Sequence, residues 1–305
     1  MSAPAQAPRL LPPISRRRLV TDKVMRAIVL ASIVVALVPL VLTIYYVTKR
    51  GISTIDWDFF TTDPTGRSCI SENKALCPPA GGVKSAIVGT ITMVALATAI
   101  AVPIGIGVAL YLVEFGKATW FAKLVRYFVD VLTGVPSVVF GLFVYIVLVV
   151  TQVGGDSFAG WKGSIALALL MLPIVARAAE VVLNLVPESL REAALALGYP
   201  RWRTSLRVVA RTAMGGIVTG CLVGIARIAG ETAPLLFTAL GNLNFTLNVN
   251  QPMQTLSLQI YVYATGPFDE WHRLAWASAL VLMGLVLVIS LAARWVTRQR
   301  YGRIR

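Results

Sequence analysis

Six long apolar stretches constrain the fold of this 305-residue chain more than any other feature of its sequence. They span residues 27–47, 83–113, 125–150, 164–183, 212–235 and 274–296. Each has about the 20 residues that an α-helix needs to cross a hydrocarbon core of ~30 Å, whereas a membrane-spanning β-strand needs only about ten residues of alternating polarity. The stretches therefore predict an all-α, polytopic membrane protein with six transmembrane helices.

The composition excludes several other classes of protein. Hydrophobic residues make up 57% of the chain, charged residues make up 14%, and the mean hydropathy is +0.75. These values are too apolar for an ordinary soluble domain. The sequence has one histidine and no G-x-x-x-x-G-K-[ST] loop, and its cysteines and histidine lack metal-ligand spacing. We therefore expect a protein that is not an enzyme and that uses neither a metal nor a cofactor.

Positive charge is distributed unevenly between the two sides of the predicted membrane. Of the 28 lysines and arginines, twenty lie in segments or near stretch ends on the side of the N-terminus, seven lie likewise on the opposite side, and Arg227 lies in the interior of an apolar stretch. Because basic residues concentrate in cytoplasmic segments, this bias predicts that both termini are cytoplasmic. The position of the basic residues beside the membrane lipid then accounts for the net charge of +14, and we expect no nucleic acid partner.

The segments outside the apolar stretches predict how the chain is divided. Residues 1–26 are predicted as a disordered cytoplasmic tail, residues 27–296 as a six-helix transmembrane domain, and residues 297–305 as a basic cytoplasmic tail. The first external loop contains Cys69 and Cys77. On the oxidising side of a membrane these cysteines can close a short disulfide, but their spacing equally allows two free thiols.

A polar, arginine-rich loop at residues 187–211 separates the fourth and fifth apolar stretches. Pro187 suits the first turn of a short helix, and the Gly-Tyr-Pro sequence that begins at Gly198 is a stop signal, so a second helix is predicted over residues 201–211. Alanines keep one face of this protrusion slim, as in helices that dock into a groove on another protein. The residues alone equally allow a solvated basic loop.

The fifth apolar stretch contains an arginine and a glutamate. Arg227 and Glu231 are one helical turn apart, so they can pair within one helix. An arginine near the centre of a membrane helix costs ~3 kcal/mol, which predicts that Arg227 faces the bundle interior or a water-filled path. There it would offer a permanently charged, planar fork to an oxyanion, and Glu231 would limit the affinity. The alternative is a pair that only neutralises itself.

Two further pairs of residues lie close to the predicted cytoplasmic boundary. Asp130 precedes a Gly-x-Pro-Ser sequence that ends at Ser137, which indicates either a broken helix or an ordinary capped start of a span. Arg177 and Glu180 are three residues apart and share a helix face. They form either a structural salt bridge or a second functional position.

The loop at residues 187–211 resembles a known motif. Glu192-Ala193-Ala194, followed by Gly198, resembles the EAA loop of ABC-importer permeases, which implies docking into a cleft on a cytoplasmic ATPase. In that family the motif usually ends in Leu-Pro. Here Ala210-Arg211 stands in its place, which leaves open the geometry at the end of the loop.

The run at residues 226–239 resembles the permease subunits of the phosphate-specific ABC importer, and it is more similar to the PstA family than to the PstC family. Segments such as Val135-Pro136-Ser137 extend the resemblance to roughly residues 85–296. It implies a type I ABC-importer permease fold and import of inorganic phosphate across the bacterial cytoplasmic (inner) membrane. The implied partners are a PstC-like second permease, two PstB-like ATPase subunits and an external PstS-like phosphate-binding protein.

The resemblance also implies roles for particular residues. They are Arg227, Glu231 and Thr232 for the substrate pathway, and Glu192, Ala193, Ala194 and Gly198 for coupling to the ATPase. Two alternatives stay open at this point. The chain can be a permease subunit for another oxyanion such as sulfate or molybdate, or an ATP-independent membrane scaffold or channel.

Overall fold

The computed structural model describes residues 15–64, 81–116, 119–155 and 157–301. Within these ranges the regular structure is helical, with no β-strand and one isolated bridge between Leu240 and Met253. The helices are α1 (Arg16–Gly51), α2 (Trp57–Thr61), α3 (Lys84–Leu110), α4 (Trp120–Gly134), α5 (Ser137–Val144), α6 (Gly160–Asn184), α7 (Glu188–Ala196), α8 (Arg201–Arg203), α9 (Ala210–Ala229), α10 (Ala233–Thr238), α11 (Leu256–Thr265) and α12 (Asp269–Tyr301). A 3-10 helix, Ile52–Thr54, follows α1, and π-helical segments follow α3 (Tyr111–Phe115), α5 (Tyr145–Val150) and α8 (Thr204–Val209). The predicted all-α class is confirmed.

Five helical segments of the described chain are long and apolar enough to cross a membrane. They are Arg16–Thr54, Lys84–Phe115, Gly160–Asn184, Arg201–Ala229 and Asp269–Ala292. A sixth candidate is α4 together with α5 and its π-helical segment, a pair bent by 104°. The third apolar stretch is therefore not one straight helix. The bend confirms the broken-helix interpretation of the segment between Asp130 and Ser137, because the chain leaves the helical conformation before Pro136.

Two compact units divide the chain, one up to Lys49 and one from Arg50 onward. The described part of the first unit belongs to α1, which begins at Arg16, so residues 16–26 are helical rather than disordered as predicted. At the other end of the chain, α12 continues to Tyr301, into the predicted basic tail. Cys69 and Cys77 lie outside the described residues, so the disulfide stays a prediction.

Small residues allow α3, α6 and α9 of the second unit to pack closely. A Cβ atom added to Gly216 would lie 2.4 Å from a methyl group of Val182, and one added to Gly220 would lie 2.5 Å from the Cβ of Ala178. Because the lipid is as apolar as the helices, such close contacts stabilise a membrane bundle more than hydrophobic burial does. The core at the centre of these helices includes Met93, Ala97, Leu167, Met171 and Ile228.

Two helix breaks lie side by side in the second unit. The fifth apolar stretch was predicted as one helix, but α9 ends at Ala229, and α10 begins only after residues 230–232. Pro234 stands in the first turn of α10, where its missing N–H group costs nothing. It packs directly on α5, because a Cβ atom added to Gly141 would lie 2.6 Å from the Cα of Pro234. The break after α4 and the break after α9 are thereby held together.

Candidate functional site

A cavity of about 260 Å³ lies between α4, α6 and α9, at the break that follows α4. Much of its wall is aliphatic, from residues such as Leu132, Leu170 and Ile174, but Arg177 and Arg227 also line it. A guanidinium group stays charged at physiological pH, and an apolar wall of low dielectric constant strengthens its attraction for an anion. The cavity therefore combines two permanent cations in a setting suited to an anionic ligand.

Arg227 lies in the last turn of α9, and its side chain is 53% exposed. Its Nε lies 3.9 Å from Glu231 Oε1, too far for a hydrogen bond, and the guanidinium of Arg227 donates no hydrogen bond to any other part of the described chain. The predicted contact thus exists, but it joins a helix end to the following break rather than two turns of one helix. The N–H donors of Arg227 are consequently available to a ligand.

The break after α9 is anchored through its backbone. The N–H group of Glu231 donates to the carbonyl of Ile228 at 3.2 Å, and Ser257 Oγ donates to the carbonyl of Glu231 at 2.8 Å. Thr232, half-buried, precedes α10, and its carbonyl accepts the first hydrogen bonds of that helix. The carboxylate of Glu231 is therefore held beside Arg227 by a fixed backbone, without a direct hydrogen bond between the two side chains.

Arg177 belongs to a network that joins α4 to α6. Glu180, whose side chain is 6% exposed, accepts hydrogen bonds from Arg177 Nη1 at 3.0 Å and from Arg126 Nε at 2.6 Å. Arg126 also donates to the carbonyl of Leu112 at 2.9 Å, and Arg177 Nε lies 3.7 Å from Asp130 Oδ1. The structure thus brings together three residues that the sequence placed in two separate groups. Their network positions Arg177 at the cavity.

Arg126 belongs to this network, although the sequence did not single it out. Its four-residue spacing from Asp130 on the amphipathic helix α4 was the available signal for a shared face. Ser137 is the first residue of α5, beyond the break, and does not line the cavity.

The two arginines of the cavity lie at different depths along the bundle. Antiparallel packing of α6 and α9 places Gly220 against Ala178. Arg177 is adjacent to Ala178 in the chain, whereas Arg227 is seven residues beyond Gly220. The Cα levels of the two arginines are therefore ~10 Å apart along the helix axes. Because α6 runs on towards α7, Arg177 is the arginine nearer to the loop that α7 occupies.

The loop between α6 and α9 forms a helical protrusion. Gly198 ends its first helix, α7, with φ = +81°, a left-handed conformation that glycine adopts without steric cost. Glu192, Ala193 and Gly198 are exposed, whereas Ala194 is buried within the chain. Leu197, beside Gly198, is 80% exposed. Further exposed apolar side chains lie nearby on α7 and α8, and such a group is typical of a surface that another protein covers.

The end of this protrusion differs from the prediction. The second helix, predicted separately over residues 201–211, is continuous with the fifth span from Arg201 to Ala229. Val209 and Ala210 are buried in this segment. Because Ala210 and Arg211 stand in the place of Leu-Pro, no proline interrupts the hydrogen bonds of the helix there.

Comparison with known proteins places the chain in a family. Residues 101–300 match the family described as "Binding-protein-dependent transport system inner membrane component". The phosphate transport system permease protein PstA of Yersinia pestis is 42% identical over 80% of this chain and 84% of that protein. PstA 1 of Mycobacterium tuberculosis (strain H37Rv) is 39% identical over 96% of this chain and 94% of that protein. This chain belongs to the PstA family.

Solved ABC-transporter structures share the fold of this PstA-family chain. One is a bacterial alginate ABC transporter, solved with an alginate-bound periplasmic protein, with a TM-score of 0.64 and 17% identity over 93% of this chain and 96% of that chain. Another is the inward-facing MetNI methionine ABC transporter, with a TM-score of 0.59 and 19% identity over 70% of this chain and 94% of that chain. At these identities the likeness concerns the fold alone. It confirms the predicted ABC-importer permease architecture.

Proposed function

We propose that this chain is the membrane-spanning permease subunit of an ABC importer for inorganic phosphate. Membership of the PstA family supports the substrate. The observation that carries the site is Arg227, whose donors are uncommitted and which shares a cavity with Arg177. Each planar guanidinium can donate two parallel hydrogen bonds to a tetrahedral oxyanion, so the pair is suited to phosphate.

Phosphate would pass the two arginines in turn, Arg227 first and Arg177 second, because Arg177 lies nearer to the proposed cytoplasmic side. Glu231 next to Arg227, and Glu180 and Asp130 next to Arg177, would repel the anion. Such opposing charges keep both sites from binding too tightly, which conduction requires. In this proposal Thr232, in the break beside Glu231, completes the pathway.

Energy would come from partner subunits, since this sequence lacks a phosphate-binding loop for ATP. The proposed assembly contains a PstC-like permease, two PstB-like ATPases and an external PstS-like phosphate-binding protein, in a bacterial inner membrane with both termini of this chain cytoplasmic. The exposed Glu192, Ala193 and Gly198 would contact the ATPase, with Ala194 on the inner face of α7. Closure of the ATPases would displace α7 and tilt α6 and α9, which carry the two arginines.

Phosphate uptake tests the proposal in a bacterium that lacks its own phosphate permeases and expresses this chain with its partners. Arg227→Gln should reduce the uptake of labelled phosphate about 10- to 100-fold at matched membrane levels, because a hydrogen bond to a charged group contributes ~1.5–3 kcal/mol. The matched control is Arg273→Gln, which changes an arginine that is 65% exposed and also 3.9 Å from a glutamate, Glu270. The control should retain wild-type uptake.

Three outcomes would contradict parts of this function. Wild-type uptake by the Arg227→Gln variant would remove Arg227 from the pathway. Inhibition by excess sulfate or molybdate would indicate another oxyanion as the substrate. Uptake that persists without the ATPase partner would indicate an ATP-independent channel.

A further inference from the structure

Arg191 is a buried arginine on the inner face of α7. Its side chain is 8% exposed, and its Nε donates to Glu114 Oε1 at 3.0 Å. Its two Nη atoms donate to Glu188 Oε2 at 3.1 Å and to the carbonyls of Val186 and Leu183 at 2.7 and 3.1 Å. Arg191 therefore fixes α7 to the end of α6 and, through Glu114, to the π-helical segment that follows α3.

Glu114 connects this arginine to a further element. Its side chain is 9% exposed, and its second oxygen lies 3.2 Å from Ser205 Oγ, which shares its hydrogen between Glu114 and the carbonyl of Arg201 at 3.0 Å. Ser205 lies in the π-helical segment that precedes α9. The carboxylate of Glu114 thus joins the segment after α3 to α7 and to the segment before α9. Glu114 and Ser205 both lie in π-helical segments, which are frequent at functional sites.

The π-helical segment that contains Glu114 also touches the network around the cavity. Leu112, two residues before Glu114, accepts the hydrogen bond from Arg126 at 2.9 Å, and Arg126 binds Glu180 together with Arg177. A set of short polar contacts, connected by the backbone between Leu112 and Glu114, therefore leads from α7 to the cavity. We call it the Arg191–Arg177 network, and its members are Arg191, Glu114, the Leu112 carbonyl, Arg126, Glu180 and Arg177.

The position of this network suggests a mechanical role. The outer face of α7 is exposed, and the proposed function assigns it to the ATPase. A displacement of α7 would then reach the membrane helices through its chain connections and its inner face. The connections lead to α6 and to α8, but not to α3 or α4. Among the polar contacts of the described chain, the ion pair between Glu114 and Arg191 joins α7 directly to the π-helical segment that follows α3. Both side chains are almost fully buried, so their geometry is well defined.

We propose that the Arg191–Arg177 network positions Arg177 according to the state of α7, so that coupling of phosphate transport to ATP hydrolysis depends on Glu114 and Arg126. This inference rests on the proposed function. When α7 moves, Glu114 displaces the π-helical segment, and the Leu112 carbonyl draws Arg126 and Glu180 with it. Arg177 then changes its position at the cavity. The other members act through Arg177 and do not themselves bind the substrate.

The test is a double-mutant cycle on the complete importer complex, purified and reconstituted in vesicles. Phosphate uptake and ATP hydrolysis are measured together, and their ratio is the readout. Glu114→Gln and Arg126→Gln should each lower the phosphate transported per ATP by about tenfold while hydrolysis continues, within the range of typical coupling between sites. Because both changes interrupt one network, the double variant should be no worse than the poorer single variant.

Several results would overturn the network. If the loss of phosphate transported per ATP in the double variant equals the product of the two single losses, the two contacts are independent. If uptake and hydrolysis fall in parallel, the residues have a merely structural role. The control Glu270→Gln, in a partly exposed ion pair, should keep the wild-type ratio. If the Glu114→Gln complex does not assemble, Ser205→Ala and Arg126→Lys test the proposal instead, because both leave the buried pair of Glu114 and Arg191 intact. Each should lower the ratio about twofold, and an unchanged ratio in both would contradict the proposal.

A second readout does not depend on the substrate. Spin labels at Val131 of α4 and Leu287 of α12, both exposed, report the position of α4 in a cysteine-free background. ATP should change this distance in the wild-type complex and not in Glu114→Gln, and an equal change in both would reject the network. A wild-type complex that shows the ATP-dependent distance change but takes up no phosphate would contradict the proposed substrate alone.

Discussion

Arg191 and Arg227 have the same side chain but opposite surroundings. Arg191 is 8% exposed and makes hydrogen bonds of 2.7 to 3.1 Å, whereas Arg227 is 53% exposed and has only a contact of 3.9 Å with Glu231 in the described chain. A guanidinium whose donors are already bonded must give up those bonds to take a ligand. An arginine whose N–H donors are all bonded within the protein therefore stabilises helix packing, whereas an arginine whose donors are free can bind a substrate.

Arg177 stands between these two cases. It is 48% exposed and lines the cavity, like Arg227, but it also donates to the buried carboxylate of Glu180. It therefore retains donors for a ligand while its position depends on its neighbours. This combination is what a site needs if its affinity is to change during a transport cycle.

The largest expected effect on stability comes from replacing Arg191 with methionine, in comparison with the same change at Arg227. Arg191→Met leaves Glu114 buried without its partner, which costs about 3–5 kcal/mol. Arg227→Met removes no strong contact and should change stability by no more than about 0.5 kcal/mol, although we expect it to reduce uptake at least as much as Arg227→Gln. Thermal unfolding in detergent, with membrane levels as a second measure, checks both. Equal losses of stability in the two variants would erase the distinction between the arginines.

Replacing Arg227 with lysine tests whether the planar fork or only the charge is needed. Lysine keeps the positive charge but presents it as a point, so bidentate hydrogen bonding to an oxyanion is lost. We expect uptake to fall about tenfold, less than with glutamine, and the KM for phosphate to rise. Initial uptake rates over a range of phosphate concentrations measure this. Wild-type kinetics in the lysine variant would show that charge alone is sufficient.

The sequence could predict the fold class because apolar length and charge bias depend on the lipid environment rather than on tertiary packing. Helix breaks were harder to locate. Pro136 marked the break between α4 and α5, but the break at residues 230–232 was missed, although Gly230 and Pro234 were its signals. The apolar pattern continues across this break, so a hydropathy argument does not detect it.

The site was predictable only where its contacts are local. The proximity of Arg227 and Glu231 follows from their spacing, but the looseness of their contact depends on where α9 ends. Arg126 and Glu180 are 54 residues apart, and the other partner of Arg126 is a backbone carbonyl. A carbonyl is present at every position, so sequence gives no signal for this contact.

Gly141→Ala tests the packing that holds the two breaks together. The added Cβ would lie 2.6 Å from the Cα of Pro234, and neither backbone can shift freely, so we expect a loss of about 1–3 kcal/mol in stability. Gly107→Ala in α3 is the control, because no atom lies within 4 Å of its added Cβ. Thermal unfolding should show no loss for the control. An unchanged stability of Gly141→Ala would mean that α5 and α10 do not need this close contact.

The smallest effect is expected at Gly198, where the constraint is conformational rather than steric. Nothing lies within 4 Å of an added Cβ, but φ is +81°, and an alanine in this left-handed conformation costs about 1 kcal/mol. Gly198→Ala should therefore reduce copurification of the ATPase and phosphate uptake by up to about fivefold, since it disturbs the turn that ends α7. Asparagine tolerates the left-handed conformation, so Gly198→Asn should recover most of both. If asparagine fails as severely as alanine, the small size of Gly198 at the ATPase surface, rather than its backbone angle, determines the coupling.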